Sequence, residues 1–140
     1  GESMCSALQQ YQQVSGHGGV QDADPHQLIQ LLFRAALDRI ATARGAMENG
    51  DTARKGELIG RAISIVGGLR DSLDLDAGAV AGNLDALYEY IGRRLLEANL
   101  HNDIAALEEV NRLLTPVADA WDQTRPEILA KRARERAETA

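Results

Sequence analysis

Apolar residues recur three or four positions apart in four long stretches of this chain, the spacing that gathers them on one face of a helix. In the first stretch Ile29, Leu32, Phe33, Ala36, Ile40, Ala43 and Met47 form one stripe. It opens at Asp24-Pro25-His26-Gln27. There Asp24 can accept from the orphan amides of a first turn, Pro25 sits where no N–H is needed, and Gln27 falls at the third helical position of a capping box. Asn49-Gly50 supplies its stop. Asp51 opens a second helix on Leu58, Ala62, Ile65, Val66, Leu69 and Leu73, with Ile59 and Ile63 widening the stripe. Gly67-Gly68 costs this helix about 1 kcal/mol per glycine relative to alanine, which predicts a close helix approach or a loosened turn. The run 74–78 breaks the pattern. A third stripe follows on Val80, Leu84, Leu87, Tyr88, Ile91, Leu95 and Ala98, all expected to be buried. After a turn at 99–103, Asp103 opens a fourth helix on Leu107, Val110, Leu114, Val117 and Trp121. Pro116 lies inside it and is expected to kink it, because its ring removes one backbone hydrogen bond and crowds the carbonyl four residues back.

Matched helices joined by short links must run antiparallel to their neighbours. The fold expected is therefore all-α, an up-down-up-down four-helix bundle over residues 24–124. Residues 1–3 read as an expression scar ahead of Met4. Residues 4–23 carry Leu8, Tyr11 and Val14 at three-residue spacing and then Gly16-His17-Gly18-Gly19. That is a short amphipathic turn on a flexible glycine tether, able to dock on a bundle and to come off. Residues 125–140 are mostly Ala, Arg, Lys and Glu, a composition that favours helix but offers only Ile128 and Leu129 for burial. A frayed, solvated fifth helix is expected there.

A chain of 140 residues buries roughly 68% of its unfolded surface and needs no staples. Cys5 is the lone cysteine, so an internal disulfide and a four-cysteine zinc site are excluded and a reducing compartment, the cytosol, is expected. No secretory signal and no run of 18 apolar residues is present, so insertion into a membrane is not expected. The net charge of −6 argues against nucleic acid as a partner. That charge is uneven: residues 1–124 hold 10 basic and 18 acidic side chains, residues 125–140 hold 5 basic and 3 acidic ones.

Catalytic chemistry finds no foothold. His17, His26 and His101 fall in a glycine loop, a first helical turn and an interhelical turn, so each is expected at the surface rather than as a ligand. The paired Glu-x-x-His spacing of a di-iron bundle does not occur, and Gly16, Gly18 and Gly19 follow no strand that would make them a phosphate loop. No catalytic, cofactor-binding or metal-binding residue is assigned. What remains is surface. At about 100° per residue, Asn83, Tyr90 and Arg94 share a strip flanking the third stripe. That strip reads either as a groove edge for a partner backbone or as a tyrosine tucked against a neighbouring helix with its hydroxyl wet.

Several of these segments resemble one family. They are Tyr11-x-x-Val14, the run from Asp24-Pro25-His26-Gln27 through Leu31-Leu32-Phe33, Gly67-Gly68-Leu69-x-x-Ser72-Leu73-Asp74, Asn83-Leu84-x-x-Leu87-Tyr88-x-Tyr90, Arg94-Leu95-x-Glu97-Ala98-Asn99 and Ala120-Trp121. From about Ala7 to Gln123 the chain is similar to the flagellar secretion chaperones that bind flagellin, the FliS family. It departs from their pattern at Asp24, where serine is usual, at Arg34, where an acidic residue is common, and at Pro116. The resemblance implies a cytosolic export chaperone without enzymatic activity or cofactor, a monomer or weak homodimer. Its implied partners are the disordered C-terminal segment of flagellin and the cytosolic part of a flagellar export gate membrane protein. Carried onto this chain, it implies a flagellin-binding groove that includes Asn83, Leu87, Tyr90, Arg94, Ile59 and Ile63, and an N-terminal cap of Leu8, Tyr11 and Val14. A self-associating or cofactor-carrying bundle is the alternative.

Overall fold

The computed structural model describes residues 24–74, 76 and 78–139. Among these residues five helices follow one another: α1 (Pro25–Glu48), α2 (Thr52–Asp71), α3 (Ala79–His101), α4 (Ile104–Gln123) and α5 (Arg125–Thr139). The expected cap residues Leu8, Tyr11 and Val14 lie outside the described residues.

Local chemistry sets the helix starts. Asp24 is extended; its Oδ1 accepts the Gln27 amide at 2.9 Å while Gln27 Oε1 accepts the Asp24 amide at 3.1 Å, completing the capping box. Asp51 caps α2 through the Arg54 amide at 3.1 Å, and Asp103 caps α4 through the Ala106 amide at 3.2 Å. At α3 the cap is Gly78, at φ 116°, and no side chain accepts from its first turn. The other end of α3 runs to His101, three residues into the expected turn, and stops at Asn102 in the left-handed region. Lys55 of α2, 5% exposed, donates there to the Asn99 carbonyl at 2.9 Å and to Asn102 Oδ1 at 2.6 Å. A cation at a helix C-terminus meets the negative end of the dipole.

The first four helices are 20 to 24 residues long, about 30–36 Å. Each packs on its sequence neighbour and α4 returns to α1, so the bundle is the expected up-down-up-down ring. Small residues line α1 where it meets its neighbours: Ala36 and Ala43 are fully buried, Ala35 and Ala46 nearly so. Between the rods lie Leu32, Ile65, Leu69, Ile91, Leu95, Leu107 and Leu114, each 1% exposed or less.

α4 runs as one helix from Ile104 through Pro116 to Gln123, packed on both its neighbours. α2 continues through Gly67-Gly68, with Gly68 buried. One expectation changes here. Val80, placed on the buried stripe by its spacing, is 73% exposed: none of the described residues covers the first turns of α3 at that position. α5 is a regular helix whose described side chains beyond Pro126 are all exposed, as its composition foretold.

Replacing Asp51 with alanine removes a cap and nothing else described, so a loss of about 1 kcal/mol is expected from urea unfolding. Asp24→Ala also breaks a two-pronged ion pair with Arg125 (2.7 Å on both arms). It is expected to cost about twice as much. Equal losses would mean that the Arg125 pair contributes nothing.

Candidate partner-binding groove

Where α1 begins, α2 ends, α3 begins and α4 ends, the four rods do not close. They leave a groove of about 590 Å³ lined by Ile29 and Phe33 from α1, Leu69 and Leu73 at the end of α2, Val80, Leu84 and Tyr88 from α3, and Pro116, Val117, Ala120 and Trp121 from α4. The lining is apolar almost throughout, and these residues come from the core stripes of all four helices.

One wall is firmly built. His26 is 4% exposed and its ring stacks on Trp121 with centroids 4.6 Å apart and planes 11° from parallel. Its Nε2 faces the Trp121 carbonyl at 2.9 Å and Thr124 Oγ1 at 2.9 Å, while Trp121 Nε1 donates back to the His26 carbonyl at 3.0 Å. This corrects the surface position expected for His26: a first-turn histidine reads as solvated until a tryptophan 95 residues away covers it. Asp24 with Arg125 and Gln30 with Asp122, the latter at 2.9 Å, extend the tie between α1 and the end of α4. His101 is exposed, as expected.

The opposite wall, the start of α3, is lightly held. Beyond the missing side-chain cap, Val80, Gly82 and Asn83 are exposed, and the tie nearest them is Arg70 of α2 to Asp85, at 2.6 Å. Farther along, α3 is clasped to α4. The Tyr90 hydroxyl donates to Glu109 Oε2, Arg94 Nε donates to Glu109 Oε1 at 2.7 Å, and Arg94 Nη1 reaches Glu97 at 2.7 Å. The hydroxyl of Tyr90 and the guanidinium of Arg94 hold the Glu109 carboxyl below its ordinary value, and Glu109 in turn raises Tyr90.

The residues singled out from the sequence therefore separate. Asn83, Leu87, Tyr90 and Arg94 do share one flank of α3; Tyr90 and Arg94 there bond Glu109 across the α3–α4 seam, and none of the four lines the groove. Asn83 is exposed and Leu87 half-buried against the core. Ile59, expected to overfill α2, is 1% exposed and belongs to the core; Ile63 is half-buried beside it. Of the groove residues, Phe33, Leu69 and Tyr88 are buried as their spacing predicts, and Ile29, Leu73, Leu84, Val117 and Trp121 pack partly buried against the core; Val80 is the one that spacing placed inside and the structure leaves exposed. The one sequence signal near them was the poor cap at Gly78.

The model of the family described as flagellar protein FliS matches residues 7–128. The chain belongs to the FliS family. It is 56% identical over 117 residues to the flagellar secretion chaperone FliSB of Pseudomonas aeruginosa, spanning 83% of this chain and 93% of that protein. To the flagellar secretion chaperone FliS of Salmonella typhimurium it is 44% identical over 131 residues, 92% of this chain and 97% of that one. To that of Bacillus subtilis it is 36% identical over 113 residues, 81% of each. A FliS-family chain is a chaperone and not an enzyme. Among the described residues no helix is long and apolar enough to cross a membrane.

The Glu109 cluster predicts an acid response. A carboxyl held below its ordinary 4.5 stabilises the fold in full above that value and loses its contribution as pH falls through the lowered folded value. Acid titration of the melting temperature should therefore be shallower in Glu109→Gln than in the parent below pH 4.5. Parallel curves would remove Glu109 from the clasp.

Proposed function

We propose that this FliS-family chain binds the C-terminal segment of flagellin in the bacterial cytosol, keeps it from polymerising, and passes it to the flagellar type III export apparatus through the cytosolic part of an export gate protein. The observation that carries the reading is the open apolar groove at the end of the bundle, in a chain whose relatives are flagellar secretion chaperones. An amphipathic segment can lay its apolar face into such a trough with anchors at i, i+3, i+4 and i+7. A client disordered when free and folding on arrival buries about 1,000–3,000 Å² and loses part of the gross energy to its own ordering. Covering the client's apolar face is enough to block its polymerisation; the task needs neither nucleotide nor bond chemistry.

In this reading the groove walls anchor the client, and Asn83 and Leu87 extend the contact onto the outer flank of α3. Tyr90 and Arg94 hold the seam that supports it, while Ile63 borders the contact and Ile59 backs it from the core. Residues 24–124 act as the binding body and residues 125–140 as a charged appendage. Leu8, Tyr11 and Val14 form a cap that competes with the client for part of the apolar surface.

Two variants test this by titration with a peptide of the flagellin C-terminal segment. Val80→Asp puts a charge on the groove wall at an exposed first-turn position where an acidic residue does not disturb the helix; a loss of affinity of at least tenfold at unchanged melting temperature is expected. Deleting residues 4–20 should leave the affinity unchanged or raise it. A Val80→Asp variant that binds as the parent does would remove the groove from the function, and a parent that shifts only its own oligomeric state, without taking up peptide, would favour a self-associating bundle.

A further inference from the structure

The polar groups bordering the groove are nearly all engaged within the bundle. Ser72 Oγ donates to the Leu69 carbonyl at 2.6 Å, Asp74 Oδ1 accepts the Asp76 amide at 3.1 Å, Thr124 Oγ1 donates to the Trp121 carbonyl at 2.7 Å, and the Trp121 indole is bonded to His26. The Tyr88 hydroxyl is different. It has no hydrogen-bond partner among the described residues. Two other polar atoms among the described residues, His26 Nδ1 and Arg39 Nη2, are unpaired and sealed from solvent, and the Tyr88 oxygen is not one of these. Tyr88 is only 4% exposed and lines the groove, so what access its hydroxyl has opens into that trough. Burial pushes its phenol up to about 12, with no hydrogen bond contributing, so it is a neutral hydroxyl across the physiological range.

An isolated hydroxyl in an apolar trough discriminates among occupants. A wholly apolar occupant would strip its water and leave it unpaired, a penalty of roughly ten- to a hundredfold in affinity. The N–H groups of a helical occupant are paired along its helix, and its carbonyls, which can take a second bond as the Asp38 carbonyl takes one from Thr42 Oγ1, lie behind the side chains that face the trough. A carboxylate would carry a charge into apolar surroundings. What fits is a neutral amide or hydroxyl side chain.

We propose that Tyr88 is a specificity-determining contact of the groove, its hydroxyl pairing with one Asn, Gln, Ser or Thr side chain set within the apolar stripe of the docked flagellin helix. This rests on the flagellin-binding reading above and adds to it a required polar position in the client.

A double-mutant cycle tests it. Tyr88→Phe is titrated with the flagellin C-terminal peptide and with peptides in which each Asn, Gln, Ser and Thr is replaced in turn by alanine. Tyr88→Phe should melt at or above the parent temperature and bind the unmodified peptide at least fivefold more weakly. One peptide substitution should lose a similar factor against the parent and almost nothing further against Tyr88→Phe. The proposal is overturned if Tyr88→Phe binds within twofold of the parent, if no peptide position couples to it, or if its melting temperature falls, which would mean that the hydroxyl is already paired inside the bundle. Val80→Asp separates the two levels: binding lost there but retained in Tyr88→Phe rejects only the polar contact, whereas binding retained in both rejects the groove.

Discussion

A histidine and a tryptophan 95 positions apart stack face to face, and each ring also bonds the other residue's carbonyl. This pairing, with the Asp24–Arg125 ion pair beside it, fixes the first turn of α1 to the last turn of α4. In an up-down-up-down ring those two ends belong to the first and last members, and no loop joins them. Gln30 and Arg34 to Asp122 and Arg44 to Glu108 add polar ties along the same seam. With these ties, one wall of the groove is set in position; in the function proposed above, less freedom is then surrendered there on docking.

The remaining freedom is concentrated in α3. Its second half is fastened on both sides, by Lys55 at its C-terminus and by the Tyr90–Arg94–Glu109 cluster along α4, while its first half has the exposed Val80 and Asn83 and a glycine cap. One helix therefore serves as a structural member along one half and as an adjustable wall along the other. The groove lies along the adjustable half.

The helices were legible in the sequence because their causes are local. Asp24, Asp51 and Asp103 cap amides three residues away, and the apolar spacing that follows each needs no knowledge of the rest of the chain. The candidate site was less legible. Val80, Leu84 and Tyr88 share a face with Ile91 and Leu95, and periodicity assigns all five to the core; Tyr88, Ile91 and Leu95 are buried, Leu84 half-buried and Val80 exposed, and that gradation depends on three other helices. His26 was misjudged for the same reason, since its burial depends on Trp121. Tyr90 and Arg94 were correctly grouped on a flank of α3, but the groups that engage them include Glu109 on a different helix, which no spacing within α3 could reveal.

Gly78 carries a further consequence. With no side-chain oxygen to hold the first amides of α3, the opening turns can fray or reform without breaking a dedicated bond. A client that packs against them must also pin them, and the configurational entropy lost in doing so is subtracted from the grip. In the function proposed above, the hold is then weaker than the contact area alone would give, which suits a carrier whose cargo has to be surrendered intact to the next machine.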